Sequence, residues 1–130
     1  IENRLNEEKD YIIYQGTAGL VDDGLTWTVR KYNSGVCEVF GYYTFKPTQW
    51  DAWGTAYESQ KIGPFAFPPQ AKFKDIPAFF SSACGIQSSV GVDNSTPVST
   101  TQTPAMYVVR PNSGYDTNFQ VSMYAIGYWK

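Results

Sequence analysis

The stretch from Trp27 to Gly41, WTVRKYNSGVCEVFG, constrains the fold of this chain more than any other part of the sequence. Two runs rich in β-branched and aromatic residues flank the tripeptide Asn33-Ser34-Gly35, a pattern typical of a β-hairpin. Gly35 is predicted to adopt the left-handed conformation that closes a three-residue hairpin loop. The sequence therefore predicts two long antiparallel strands joined at residues 33–35.

This loop also sets the register of the two strands. It places Arg30 opposite Glu38 as a cross-strand pair of opposite charges, and Trp27 opposite Gly41, where an indole ring can cover a bare strand position. One face of the hairpin, predicted to be core, then carries Trp27, Val29, Cys37 and Val39. The other face, predicted to be mixed, carries Thr28, Arg30, Tyr32, Glu38 and Phe40.

The composition of the whole chain agrees with an all-β domain. Its 130 residues suit one domain with a core of its own. Aromatic residues make up 17% and charged residues 17%, and eight Pro and eleven Gly interrupt the chain too often for long helices. A net charge of −2 without a long basic run argues against nucleic-acid binding, and no apolar run is long enough for a membrane span.

The chemistry open to the chain is also limited by what the sequence contains. There is no histidine, which excludes Ser-His and Cys-His catalysis and most zinc sites, so we expect no cofactor. Cys37 and Cys84 both fall in predicted strands and are expected to be buried thiols, with a disulfide between them as the alternative.

Residues 1–10, IENRLNEEKD, are the one segment that favours a helix. Ile1, Leu5 and Ile12 lie at spacings of four and seven, which suits the end of a coiled-coil stalk. The alternative is a solvated N-terminal helix or linker. Because the chain starts at Ile1 rather than Met, we expect it to be a fragment of a longer protein.

From residue 11 onward, short strands are predicted at intervals of roughly ten residues, which is typical of a β-sandwich or barrel. The predicted strands are 11–15, ended by the glycines at 16 and 19; the two strands of the hairpin within 27–45; 63–69, burying Phe65 and Phe67; 78–86, with Phe80, Cys84 and Ile86 on one face; 90–92; 105–110; and 119–127. Residues 46–62 are predicted to be a loop or a single helical turn.

Several blocks of the sequence match one pattern. They are Tyr11-Ile12, Gln15-Gly16, Gly19, Trp27, Arg30-Lys31, Ser34-Gly35, Glu38, Gly41, Trp53-Gly54 with Tyr57, Pro64-Phe65-Ala66-Phe67, Ile76-Pro77 and the ending AIGYWK at 125–130. Together they resemble the C-terminal domain of tail-fibre or baseplate minor structural proteins of phages and prophages of Gram-positive bacteria. Tyr32 and Phe40 stand where that family usually has Trp, and Cys37 lies one position before its usual Cys.

The resemblance implies a receptor-binding head at the tip of a virion tail, assembled in the host cytoplasm. It implies a homotrimer that continues from upstream tail-fibre or baseplate segments and docks on a host cell-wall polysaccharide or teichoic acid. Pattern and resemblance together predict an antiparallel, jelly-roll-like β-sandwich over residues 11–130, preceded by the end of a helical stalk or a linker at 1–10.

The first candidate site is the aromatic cluster Trp50, Trp53 and Tyr57, because flat rings suit the C–H faces of sugars and Asp51 or Glu58 could accept hydroxyl hydrogen bonds. The resemblance makes Trp53 and Tyr57 structural, which leaves Trp50 as the more exposed ring. The alternative is that all three pack in the core.

The second candidate is the Ser- and Thr-rich loop from Asp93 to Gln102, with Asn94 in the loop and Tyr107 or Tyr115 nearby. A solvated loop is the alternative. Asp93-Asn94-Ser95 lacks the ordered spacing of a calcium loop, so no metal site is predicted.

A glycosidase would need two converging carboxylates from among Asp22, Asp23, Asp51 and Glu58, and nothing in their spacing forces this. The predicted function is therefore non-catalytic attachment to a host saccharide. The alternatives are a structural cap that trimerises a tail fibre and a glycan depolymerase.

Overall fold

The structure is a computed structural model that describes residues 10–20, 24–85, 88–93, 95–113 and 118–130, with the backbone alone at 18–20. These residues form nine strands: β1 (Ile12–Leu20), β2 (Leu25–Tyr32), β3 (Val36–Phe45), β4 (Trp50–Trp53), β5 (Ala56–Ser59), β6 (Ala78–Cys84), β7 (Ser89–Val92), β8 (Met106–Arg110) and β9 (Phe119–Tyr128). The predicted helical segment at 1–10 lies almost wholly outside the described residues. Within the described part, no helix could span a membrane.

The strands build two antiparallel sheets. The five-stranded sheet has the order β1-β2-β3-β9-β6, and the four-stranded sheet has the order β4-β5-β8-β7. The chain changes sheet between β3 and β4, β5 and β6, β6 and β7, and β8 and β9, an alternation that resembles a jelly roll. The predicted antiparallel β-sandwich is confirmed.

The hairpin formed by β2 and β3 has the predicted register. Arg30 pairs with Glu38 and Trp27 with Gly41. Gly35 closes the loop with a positive φ of 103°, and its amide donates to the Tyr32 carbonyl at 3.0 Å. The sequence therefore determines this element locally, through one turn residue and the side chains that its register aligns.

One hydrophobic core lies between the two sheets. Trp27, only 2% exposed, meets Phe67 edge to face with ring centroids 5.8 Å apart. The inner positions of the long strands are buried in alternation, as predicted for β9. The core is made of Leu25, Trp27, Val29, Cys37, Val39, Phe45, Ile62, Phe67, Ala71, Phe73, Met106, Val108, Phe119, Val121, Met123 and Ala125.

Three predicted elements differ in the structure. Strand β1 does not end at Gly16 but runs to Leu20, because Gly16 keeps its pairing with Val29 of β2. Residues 46–62 are not a loop or helical turn but contain the β4–β5 hairpin. Residues 63–69 bury Phe67 as predicted but leave Phe65 half-buried. They pair only through an isolated bridge from Ala66, since the prolines around it cannot donate ladder hydrogen bonds.

Strand β6 exists where it was predicted, but the face that carries Phe80 and Cys84 points to solvent. The expectation that both cysteines are buried is therefore wrong for Cys84. Both are free thiols, and Cys37 is fully buried. Burial raises the pKa of the Cys37 thiol to about 11, so this side chain behaves as a small hydrophobe.

Candidate functional site

The β4–β5 hairpin carries most of the residues that the sequence singled out. Trp53 pairs with Ala56 around a two-residue turn, and Gly54 in that turn has a φ of 61°, which glycine adopts without strain. Because side chains alternate along a strand, this register turns Asp51, Trp53 and Glu58 outward and turns Trp50 and Tyr57 toward the other sheet.

Trp50 lies on the inner side, where it is half-buried. Its ring meets Phe119 of the five-stranded sheet edge to face at 5.8 Å, and the guanidinium of the buried Arg110 lies 5.7 Å from the ring centroid. Tyr57 is the cross-strand partner of Arg110. These contacts give Trp50 and Tyr57 packing roles in the sandwich.

Trp53 lies in solvent, whereas the sequence led us to expect it in the core. It is 61% exposed, although the sequence resemblance made it structural. The ring stands on the outer face of the four-stranded sheet, at a groove of about 480 Å³ that we call the Trp53 groove. Its lining is formed by Trp53, Glu58, Gly91, Val92, Asp93, Tyr107 and Val109.

Three carboxylates lie in or beside this groove. Asp51 and Glu58 are directly opposite each other on β4 and β5, and Asp51 accepts a hydrogen bond from the Gln49 amide. Asp93 accepts hydrogen bonds from the Ser95 hydroxyl at 2.7 Å and the Ser95 amide at 2.9 Å, and Lys61 lies 3.6 Å away. The Ser95 hydroxyl, followed by the Ser95 amide, lowers the pKa of Asp93, so this carboxylate stays ionised at neutral pH.

The structure thus brings two of the predicted site residues, Asp51 and Asp93, to the face that carries Trp53, and it adds Tyr107 from β8. Trp50 and Tyr57 are directed away from it. Asn94 and Tyr115 lie outside the described residues. The exposure of Trp53 could have been predicted from the sequence only by recognising Gly54-Thr55 as a two-residue turn. That turn sets which side chains of the hairpin point outward.

The arrangement is suited to noncovalent recognition. An exposed indole and a phenol supply flat apolar faces, and the carboxylates supply hydrogen-bond acceptors around them. Among the described residues, no group of three or more His, Cys, Asp or Glu side chains converges as a metal site would require.

Comparisons with known proteins show a distant structural likeness. No protein-family model and no curated protein matches the chain. Among solved structures, an N-truncated R1-type pyocin tail fibre is similar over 98% of this chain and 94% of its own, with 17% identity and a TM-score of 0.46.

Proposed function

We propose that this chain is a non-catalytic receptor-binding domain of a phage tail fibre or baseplate, and that it attaches to a host cell-surface saccharide through the Trp53 groove. The observation that carries the proposal is the exposed Trp53 ring, fixed on a sheet surface beside Tyr107 and Glu58. Large aromatic side chains are normally buried, so one held outward next to hydrogen-bonding groups favours a ligand surface.

The chemistry of the groove suits a sugar ring. A pyranose has an apolar C–H face, which stacks on an indole, and hydroxyls at its rim, which donate to carboxylates. Glu58 and Asp93 line the same groove as Trp53, and their carboxylates supply acceptors for such hydroxyls. The groove volume of about 480 Å³ falls within the range of small-molecule sites.

The setting of the domain rests on the sequence resemblance. The hairpin blocks around Arg30-Lys31 and Ser34-Gly35, together with the AIGYWK ending, support a place at the virion tail tip. In this proposal the domain forms a homotrimer, continues from upstream fibre or baseplate segments, and recognises a cell-wall polysaccharide or teichoic acid.

Binding to isolated host wall polymer tests this proposal. Wild-type chain should bind the polymer and block phage adsorption, and Trp53→Ala should lower the affinity at least about tenfold. Tyr128→Ala is the matched control, because it removes another exposed aromatic ring outside the groove. A wild-type chain that binds neither cells nor polymer would refute the receptor function and leave a structural cap, whose trimer light scattering would detect.

One observation favours glycan hydrolysis as a second candidate. Asp51 and Glu58 are direct cross-strand partners, which brings their Cβ atoms to roughly 4.5–5.5 Å. Retaining glycosidases hold their two carboxyl groups roughly 5–5.5 Å apart, a separation that rotamers of an Asp and a Glu at this Cβ spacing can reach. Release of reducing ends from the wall polymer, abolished by Asp51→Asn, would establish this activity; polymer that stays intact would exclude it.

A further inference from the structure

A second groove lies on the outer face of the five-stranded sheet, which is directed away from the four-stranded sheet. The register of β2, β3, β9 and β6 aligns the side chains of this face in rows across the strands. One row is mainly aromatic and runs Thr28, Phe40, Tyr124, Phe80. The next row is rich in hydroxyl groups and runs Thr26, Tyr42, Ser122, Ser82. We call the surface formed by these two rows the Phe80 groove.

The aromatic row forms a continuous floor. The Phe40 and Tyr124 ring centroids are 4.9 Å apart, and those of Phe80 and Tyr124 are 6.3 Å apart. Phe80 is 60% exposed and Tyr42 is 46% exposed, so the floor and its neighbouring ring are open to solvent. The groove encloses about 520 Å³, which is within the range of ligand sites.

Two charged side chains, Glu38 and Arg30, stand next to the floor and contact its rings. The Tyr124 hydroxyl donates to Glu38 at 2.6 Å, and the Arg30 guanidinium lies 5.2 Å from the centroid of Phe40. Glu38 and Arg30 are themselves cross-strand partners. The described residues that line the groove include no charged side chain, and their polar atoms are mainly the hydroxyls of Ser, Thr and Tyr.

From these contacts we infer that the Phe80 groove is a second saccharide site, and that it takes an uncharged hexose segment. The aromatic row supplies the face on which a sugar ring stacks, and the parallel row of hydroxyls supplies donors and acceptors for the ring's own hydroxyls. A phosphate-bearing polymer is disfavoured because the described residues that line the groove offer no cation to pair with it.

A second copy of this chain is the competing occupant of this face. Serine is depleted in protein–protein interfaces, whereas Ser122 and Ser82 make up half of the hydroxyl row. An interface formed here would bury those hydroxyls, each of which would then need a partner. A sugar supplies such partners through its several ring hydroxyls, so the row favours a glycan.

The test uses the whole chain and an array of immobilised oligosaccharides. The array carries uncharged oligomers of glucose, galactose, rhamnose and N-acetylglucosamine, together with poly(glycerol phosphate). At least one uncharged probe should bind, and Phe80→Ala should lower its affinity at least about tenfold while Phe80→Tyr retains it. Ser122→Ala, which removes a hydroxyl but no ring, should also weaken binding. Tyr128→Ala, on the same face but outside the groove, is the control.

Three results would overturn the inference. They are an array on which no uncharged probe binds, binding that Phe80→Ala leaves intact, and an oligomer that light scattering shows to dissociate in Phe80→Ala. The last result would assign the face to a second copy of the chain. Glycan binding lost in Trp53→Ala but not in Phe80→Ala would refute this site and leave the Trp53 groove standing, and the reverse would refute the Trp53 groove.

Discussion

Trp27 and Gly41 fit each other across the β2–β3 pair. A Cβ atom at position 41 would lie 2.8 Å from Cε3 of Trp27 and 3.0 Å from Cε of Met123, so the indole fills the space that a side chain there would need. The sequence revealed this pairing because Gly35 sets the register of the hairpin, and that register places the Trp27 ring opposite Gly41. Such a site is determined by residues that are near in the sequence.

Replacing Trp27 tests how much of the stability depends on this pair. Trp27→Ala should lower the free energy of unfolding by about 3–5 kcal/mol, because it empties a large buried aromatic site. Urea unfolding followed by circular dichroism measures the change. Trp53→Ala is the matched control and should be nearly neutral, because that ring is mostly in water. If Trp27→Ala behaved like the control, the assignment of the core face would be wrong.

Trp50 and Trp53, on the β4–β5 hairpin, show the limit of prediction from single residues. The sequence left Trp50 as the more exposed of the two rings, whereas Trp53 is 61% exposed and Trp50 is half-buried on the inner side of the sheet. What turns Trp50 inward is its packing on Phe119 and Arg110, which lie far along the chain in other strands. A propensity or a short motif contains no information about these partners.

At the scale of elements, strands with a strong local signal were predicted well and strands that depend on partners were not. The β2–β3 hairpin and β9 have clear alternation and turn chemistry. In contrast, β1 continues through its glycines because β2 supplies the pairing. Strand β6 exposes Phe80 because its register with β9 decides which of its side chains face solvent. Predicting the Phe80 groove would have required the register of four strands at once.

A side-chain hydrogen bond from Tyr124 of β9 to Glu38 of β3 also joins these two strands. It should make the free energy of unfolding fall at alkaline pH. Burial, and then the bond to Glu38, raises the pKa of Tyr124 to about 12. The unfolded tyrosine loses its proton near pH 10, so this stabilisation is present below about pH 10 and is lost as pH rises toward 12. Unfolding in urea at several pH values should show that decline, and Tyr124→Phe should reduce it.

Two comparisons make the pH experiment specific. Glu38 also raises the pKa of Tyr32 through a hydrogen bond, so part of the decline should persist in Tyr124→Phe. Tyr128→Phe changes an exposed ring on the same strand and should keep the whole decline. A Tyr124→Phe curve identical to wild type between pH 10 and 12 would show that the bond to Glu38 does not contribute.

For the molecule as a whole, the sequence predicted the sandwich but not the strand order. Strand β9 lies between β3 and β6, so Glu38 and Tyr124 meet although they are 86 residues apart. The Trp53 groove likewise combines β4, β5, β7 and β8, and only the folded sheet brings Asp93 into the same groove as Glu58. The chemistry of a binding site could be proposed from the residue types in the sequence. Which residues form the site could not, because that depends on these long-range strand pairings.

The loop at 33–35 joins segments from both ends of the described chain. Asn33 Oδ1 accepts from the Tyr11 amide at 2.7 Å, and Asp10 accepts from the Ser34 hydroxyl at 3.0 Å. From the other end, the Trp129 amide donates to the Gly35 carbonyl at 2.8 Å. The turn that sets the hairpin register therefore also anchors the first and last described segments on one side of the sandwich.

Amide exchange should reveal whether this loop acts as one unit. Asn33→Ala removes the acceptor of the Tyr11 amide and should cost about 1 kcal/mol, the usual net value of one hydrogen bond. Because the loop also holds Trp129, exchange measured by NMR should become faster at both the Tyr11 and the Trp129 amides. Ser95→Ala, which removes a hydrogen bond in a different loop, should change neither. Faster exchange at Tyr11 alone would mean that the two segments are held independently, and the loop would then be a turn without a wider role in the sandwich.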